Sequence, residues 1–166
     1  MLIYDLCETP HGTMTLVKSD RGICYVGLPN ASLENIRLWT GKHFTGESLR
    51  PEPGCCQAEQ RELQEYFAGN RTEFTWTLDH RNTTFALKVL VELSKVQFGQ
   101  TATYGDLAAK IGRPRAARAV GRAVGANPLP IVIPCHRIVG SNGSLTGYGG
   151  GLALKKALLA LEAGTG

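Results

Sequence analysis

The 166-residue chain has no apolar run approaching the ~20 residues that cross a bilayer. Its start, Met1-Leu2-Ile3-Tyr4-Asp5, lacks the basic segment and apolar stretch of a secretory leader, so a cytosolic location without membrane contact is expected. No Cys-x-x-Cys pair occurs among Cys7, Cys24, Cys55, Cys56 and Cys135, and an odd count in a reducing compartment argues against a disulfide framework. The adjacent Cys55 and Cys56 suit neither the usual zinc spacing nor a strain-free bridge. All cysteines but Cys135 are therefore expected to be inert packing or surface thiols, and no metal is expected. Repeats and low-complexity tracts are also missing. What is there is an ordinary globular composition, 43% hydrophobic and 19% charged, long enough for one large domain or two small ones. The net charge of +4 permits a polyanionic partner without requiring one.

Residues 1–80 read as a small α+β unit. Met14–Lys18 and Ile23–Leu28 are short β-rich runs joined by Ser19-Asp20-Arg21-Gly22, a hairpin turn. Ser32–Trp39 suggests a short helix, Arg50–Gly54 a loop, Gln57–Phe67 a helix ended by Gly69, and Phe74–Leu78 a strand by its alternation. From Thr83 the pattern becomes helical. Thr83 or Thr84 can cap a helix from Phe85 to about Val96, and Thr103 with Asp106 forms a capping box for Tyr104–Ile111. After Gly112-Arg113-Pro114 a second helix is expected over Arg115–Val124, making a helix-turn-helix. Residues 126–151 read as loop and Leu152–Ala163 as the closing helix. The fold class expected is thus α+β: a sheet-plus-helix domain over 1–80, then a mainly helical domain over 83–166.

Two segments suggest chemistry. On the second helix, Arg115, Arg118 and Arg122 share one face, and the other side chains are small, including Ala116, Ala117, Ala119, Gly121 and Ala123. Such a helix can lie close to a phosphate backbone, although a solvated surface helix shows the same pattern. In Ile133-Pro134-Cys135-His136-Arg137, a thiol follows a rigid turn beside an imidazole and a guanidinium. A thiol attacks as thiolate, and a neighbouring base or positive charge lowers its pKa from ~8.5. A buried apolar cysteine beside a core histidine is the alternative that local sequence leaves open.

Pro134-Cys135-His136-Arg137, with Asn127-Pro128 before it and Gly147-Tyr148-Gly149-Gly150-Gly151 after it, resembles the active-site region of the O6-alkylguanine-DNA alkyltransferases. Ala116–Gly121 is similar to that family's recognition helix, and Phe98–Ala108 also fits. The likeness is strong from Thr83 onward and faint before it, except at Leu63–Gly69. It implies direct-reversal repair: one irreversible transfer of the alkyl group from O6-alkylguanine, and from O4-alkylthymine, to Cys135. His136 would be the base through a water, Glu162 would orient His136, and Asn127 would hold the turn into the active-site loop. Arg118 would enter the stack from the minor groove, and Tyr104 would help rotate the nucleotide out. Tyr148, Gly149, Gly150 and the Ile138 carbonyl would form the base pocket, and Arg115, Arg122 and Ala117 would meet DNA with Arg118 and Tyr104. Glu162 also has Lys155 as an alternative partner, in a surface ion pair. No cofactor is implied, and a monomer is expected, with clustering along DNA left open. The alternatives are a lesion sensor, which replaces the cysteine in this group, and a thiol hydrolase, which leaves the arginine helix unused.

Overall fold

β1 (Leu2–Thr9) pairs antiparallel with β2 (Gly12–Ser19), which pairs antiparallel with β3 (Gly22–Gly27). In this computed structural model, which describes residues 1–164, these strands begin a unit spanning Met1–Arg81. The hairpin expected at Ser19–Gly22 is present. Gly22 is required there: its φ is +144°, and a Cβ would stand 2.4 Å from the Thr77 carbonyl oxygen. α1 (Leu33–His43) follows, capped by Ser32, whose side chain accepts from the Asn35 amide. β4 (Leu49–Pro51) then adds parallel to β1, giving the order β3-β2-β1-β4, and α2 (Gln57–Phe67) comes next in the chain.

The side-chain alternation of the strands divides the core. Leu2, Val17 and Cys24 pack with Ile36 and Phe44 of the α1 side. Asp5 points to the other face, where its carboxylate accepts from the Gly54 and Cys56 amides just ahead of α2. α2 packs on β1 and buries Leu63 and Tyr66 completely.

Three expectations need correction in this unit. β1 was not anticipated. Leu49–Pro51 is an edge strand where a loop was expected, since Pro51 at the sheet margin forfeits no ladder bond. Phe74–Leu78 is no regular strand: it makes a single bridge, Ile23↔Leu78. The Glu62 carboxylate takes the Thr75 amide at 2.8 Å, and Phe74 packs on Tyr66 with ring centroids 5.5 Å apart, so side chains of α2 hold the segment where a ladder would.

The second unit, Asn82–Gly166, is mainly helical. α3 (Thr84–Ser94) is capped by Thr83 and buries Val89, Leu90 and Leu93. β5 (Ala102–Thr103) leads into α4 (Tyr104–Lys110), where the capping box between Thr103 and Asp106 is formed in both directions. α5 (Ala117–Gly125) packs against α3 and α4, and buries Val120 and Val124. The helix starts later than its sequence suggested. Pro114 and the bonds Arg113 N–H to Ala108 O (2.9 Å) and Ala116 N–H to Arg113 O (2.9 Å) shape a turn first. Arg115 therefore lies before α5, and the helix itself carries Arg118 and Arg122, both exposed. A 3-10 turn (Cys135–Arg137) and β6 (Ile138–Val139), parallel to β5, interrupt the next loop, and α6 (Leu152–Glu162) closes the unit.

Candidate active site

The approach to Cys135 is held by one side chain. Asn127 donates through Nδ2 to the Ile133 carbonyl at 2.8 Å and accepts at Oδ1 from the Leu129 amide at 2.9 Å. Between these anchors Ile131 adopts a φ of +73°, a conformation a β-branched residue occupies only under constraint. The 3-10 turn then carries three buried residues in succession, Cys135, His136 and Arg137.

His136 and Arg137 converge on Glu162 at the end of α6. His136 Nε2 lies 2.7 Å from Glu162 Oε2. Arg137 donates to the same carboxylate from Nε at 2.7 Å and Nη2 at 3.0 Å, and from Nη1 to the Val96 carbonyl at 2.7 Å. The Gly99 amide adds a longer contact to Glu162 at 3.4 Å. An arginine bound through two N–H groups keeps the carboxylate ionised, so His136 donates from Nε2 and carries its lone pair on Nδ1. Nδ1 is buried and has no hydrogen-bond partner among the described residues. Burial, with help from the Arg137 and Lys155 charges, outweighs Glu162 and holds the His136 pKa below its ordinary value. The ring is thus neutral at neutral pH and able to take a proton.

The thiol behaves differently from its sequence-based expectation. Burial pushes the Cys135 pKa up to about 11, against the pull of the Asn127 amide, the Lys155 ammonium and the Tyr148 hydroxyl. Arg137, the neighbour in sequence, is committed to Glu162. The cation that acts on the thiolate is Lys155, about two turns back along α6 from Glu162.

Lys155 is the residue the sequence reading missed. Its side chain is 1% exposed, which excludes a surface pair with Glu162. Nζ donates to the Ile138 carbonyl at 2.5 Å and reaches the Thr146 carbonyl at 3.4 Å. Thr146 in turn bonds the Tyr104 hydroxyl through Oγ1 at 2.8 Å. Lys155 and Tyr104 therefore both grip the loop that carries Tyr148, Gly149 and Gly150. The available signal was its spacing: Lys155, Leu158 and Glu162 recur at three and four, so all three share the inward stripe of α6. α4 and α5 pack closely at Gly121, where the Tyr104 ring leaves just enough room for a Cβ at 3.7 Å.

The other predicted residues divide between the site and the exterior. Ile138 is buried within β6, Tyr148 and Gly150 are half-buried, and Gly149 between them is exposed. The Tyr148 hydroxyl itself is buried, and desolvation with the adjacent Cys135 pushes its pKa up. Ala117 is half-buried at the start of α5, beside the exposed Arg118. Arg115 is exposed in the turn before the helix, so it presents its charge independently of the α5 face.

Two family profiles match the chain: 6-O-methylguanine DNA methyltransferase, ribonuclease-like domain, over residues 2–80, and 6-O-methylguanine DNA methyltransferase, DNA binding domain, over residues 84–164. Among characterised relatives, the inducible methylated-DNA–protein-cysteine methyltransferase of Bacillus subtilis is 42% identical over 142 residues, covering 86% of this chain and 79% of that protein. The crystal structure of Mycobacterium tuberculosis O6-methylguanine methyltransferase superposes with a TM-score of 0.87 at 38% identity, covering 100% of this chain and 95% of that one. The M. tuberculosis protein in complex with DNA gives a TM-score of 0.84 at 39% identity, covering 98% and 94%.

Proposed function

The chain belongs to the 6-O-methylguanine DNA methyltransferase family and repairs alkylated DNA by moving the alkyl group to a cysteine of its own, and from that premise we propose that Cys135 is the acceptor and the second unit the working part. The observation that carries the assignment is the committed histidine. With Nε2 held by Glu162, His136 has one free basic nitrogen, Nδ1, and the residue follows Cys135 directly on the 3-10 turn.

In the proposed reaction His136 Nδ1 takes the thiol proton through a water, and the Cys135 thiolate attacks the O6-alkyl carbon. A C–S bond forms as the C–O bond breaks, the electron pair stays on guanine, and guanine takes up the proton that the thiol gave to His136. The thioether is inert, so each molecule acts once. Glu162 fixes the His136 tautomer, Arg137 keeps Glu162 ionised, and Asn127 sets the approach of the loop. Lys155 stabilises the thiolate and positions the Ile138 carbonyl beside the base pocket.

An alkylated O6 inside a duplex is out of reach of a thiol in a protein core, so the base must leave the stack. Arg118 would fill the gap from the minor groove, with Arg115 and Arg122 on phosphates and Ala117 allowing close approach. Tyr104 would crowd the rotating nucleotide, and Tyr148, Gly149 and Gly150 would enclose the base. Residues 1–80 would support the domain over 83–166, and the protein would act as a monomer. The test is an intact mass after mixing with an oligonucleotide carrying O6-methylguanine. One methyl should be gained on Cys135 and none by Cys135→Ser; a methyl on another cysteine would overturn the assignment.

A further inference from the structure

Adjacent side chains on an extended strand point to opposite faces. Cys55 and Cys56 lie instead in the turn between β4 and α2, and their sulfurs stand 3.5 Å apart on one side of the chain. Several bonds hold this turn. The Cys55 amide donates to Glu52 O at 3.1 Å, the Gly54 amide to Asp5 Oδ2 at 2.9 Å, and the Cys56 carbonyl accepts the first bond of α2 from Gln60 at 2.9 Å. Lys18 Nζ reaches the Cys55 carbonyl at 3.4 Å while pairing with Glu59 at 3.0 Å. Cys55 is half-buried and Cys56 fully buried beneath it. The proposed transfer reaction uses neither residue.

We propose that Cys55 and Cys56 form a vicinal-dithiol site that chelates trivalent, thiol-seeking metalloid compounds, with arsenous acid and monosubstituted arsenicals as the ligand class. Two hydroxyl groups of arsenous acid are replaced by two thiols, and each leaves as water with the thiol proton. Two As–S bonds form, two As–O bonds break, and arsenic stays trivalent, so no oxidant is consumed. The first bond forms at the more accessible Cys55, and closure onto Cys56 is then intramolecular.

The geometry discriminates against other ligands. Zinc wants four ligands, and among the described residues no group of three or more His, Cys, Asp and Glu side chains is placed to hold a metal. Burial also raises both thiol pKa values, which disfavours ions that bind only thiolates, whereas the condensation uses protonated thiols. Ions preferring linear coordination need sulfurs on opposite sides. A pyramidal trivalent centre needs two sulfurs side by side and a third, non-protein substituent.

The test uses the full-length protein and phenylarsine oxide in excess glutathione, which strips arsenicals held by single thiols. Wild type should retain one equivalent by intact mass, block maleimide at Cys55, and release the arsenical to a small dithiol. Cys55→Ser should lose the glutathione-resistant adduct completely, and so should Cys56→Ser if it folds. Cys135→Ser should keep it. Loss of all arsenical from wild type in glutathione, or its retention by Cys55→Ser, would overturn the proposal.

Discussion

Replacing Glu162 with Gln preserves size and removes one charge, and the surrounding groups dictate how the new amide is oriented. Oε1 faces the Arg137 Nε–H and the Gly99 N–H, which can only donate, whereas Oε2 faces Arg137 Nη2 and a His136 ring that can switch tautomer, so the amide oxygen of the variant takes the Oε1 position. The amide NH2 is then turned toward His136 Nε2, which must accept rather than donate. The imidazole proton moves to Nδ1, and the lone pair proposed to take the thiol proton is lost. Loss of a positioned general base costs about 10²–10⁴ in rate. Stability also falls, because Arg137 is 6% exposed and would keep a buried charge without a counterion. Breaking such a pair costs about 3–5 kcal/mol, out of the ~5–15 kcal/mol that holds a typical domain. With a urea m-value of about 1–3 kcal/mol/M the midpoint should fall by about 1–5 M. Two measurements read these effects separately: urea denaturation, and single-turnover methyl transfer at a temperature where the variant is folded. Arg137→Met is the counterpart. It weakens the same ion pair and leaves Nε2–H of His136 on Glu162. Removing the Arg137 charge raises the His136 pKa, so its rate should be depressed at low pH and recover as pH rises. A folded Glu162→Gln protein that transfers methyl at the wild-type rate would refute the tautomer argument, even if its stability dropped.

The remaining predictions concern the thiol, its loop and the recognition helix. With the Cys135 pKa at about 11, the thiol is protonated at neutral pH. Its alkylation by iodoacetamide in DNA-free protein, read by peptide mapping, should therefore speed up about tenfold per pH unit from pH 7 upward. A plateau near pH 8 would contradict the burial argument. Lys155→Met removes the nearby cation, so at fixed pH it should react about tenfold more slowly, a change of one pKa unit. Asn127→Ala deletes both anchors of the strained Ile131 turn and strands the Leu129 amide, a loss of about 2–4 kcal/mol in calorimetric or urea stability. Arg118→Ala should slow repair of O6-methylguanine in a duplex while sparing reaction with free O6-benzylguanine, and equal losses on both substrates would count against a flipping role.

Much of the second unit was legible in its amino acids because local chemistry determines it. Thr83 and Thr103 announced the starts of α3 and α4 as side-chain caps, and small residues beside Arg118 and Arg122 marked α5. Sequence spacing failed where non-local partners decide. β1 is recognisable only against the strands it pairs with, and Phe74–Leu78 alternates like a strand but spends its donors on an α2 carboxylate. The start of α5 moved because hydrogen bonds back to Ala108 shape the turn at Arg113. Around Cys135 the neighbours in sequence suggested Arg137 as the activating charge. Three-dimensional packing gave that arginine to Glu162 and brought Lys155 to the thiol instead. No pattern within the Pro-Cys-His-Arg run carries that exchange. The placement of the Cys55 and Cys56 sulfurs was likewise not legible, since adjacency in sequence says nothing about the side to which a turn directs them.

A protein that is spent by a single reaction has a storage problem that a recycling catalyst does not. Every chance encounter with a reactive small molecule would waste a copy before any lesion is found. Cys135, 7% exposed and protonated at rest, is a poor nucleophile toward such molecules. Latency of this kind is set by the same packing that fills the core, without a lid or an inhibitor. The shelf life of the unused molecule and its readiness to act are therefore tuned by one set of contacts. Loosening the pocket to admit bulkier adducts should shorten the first as it widens the second.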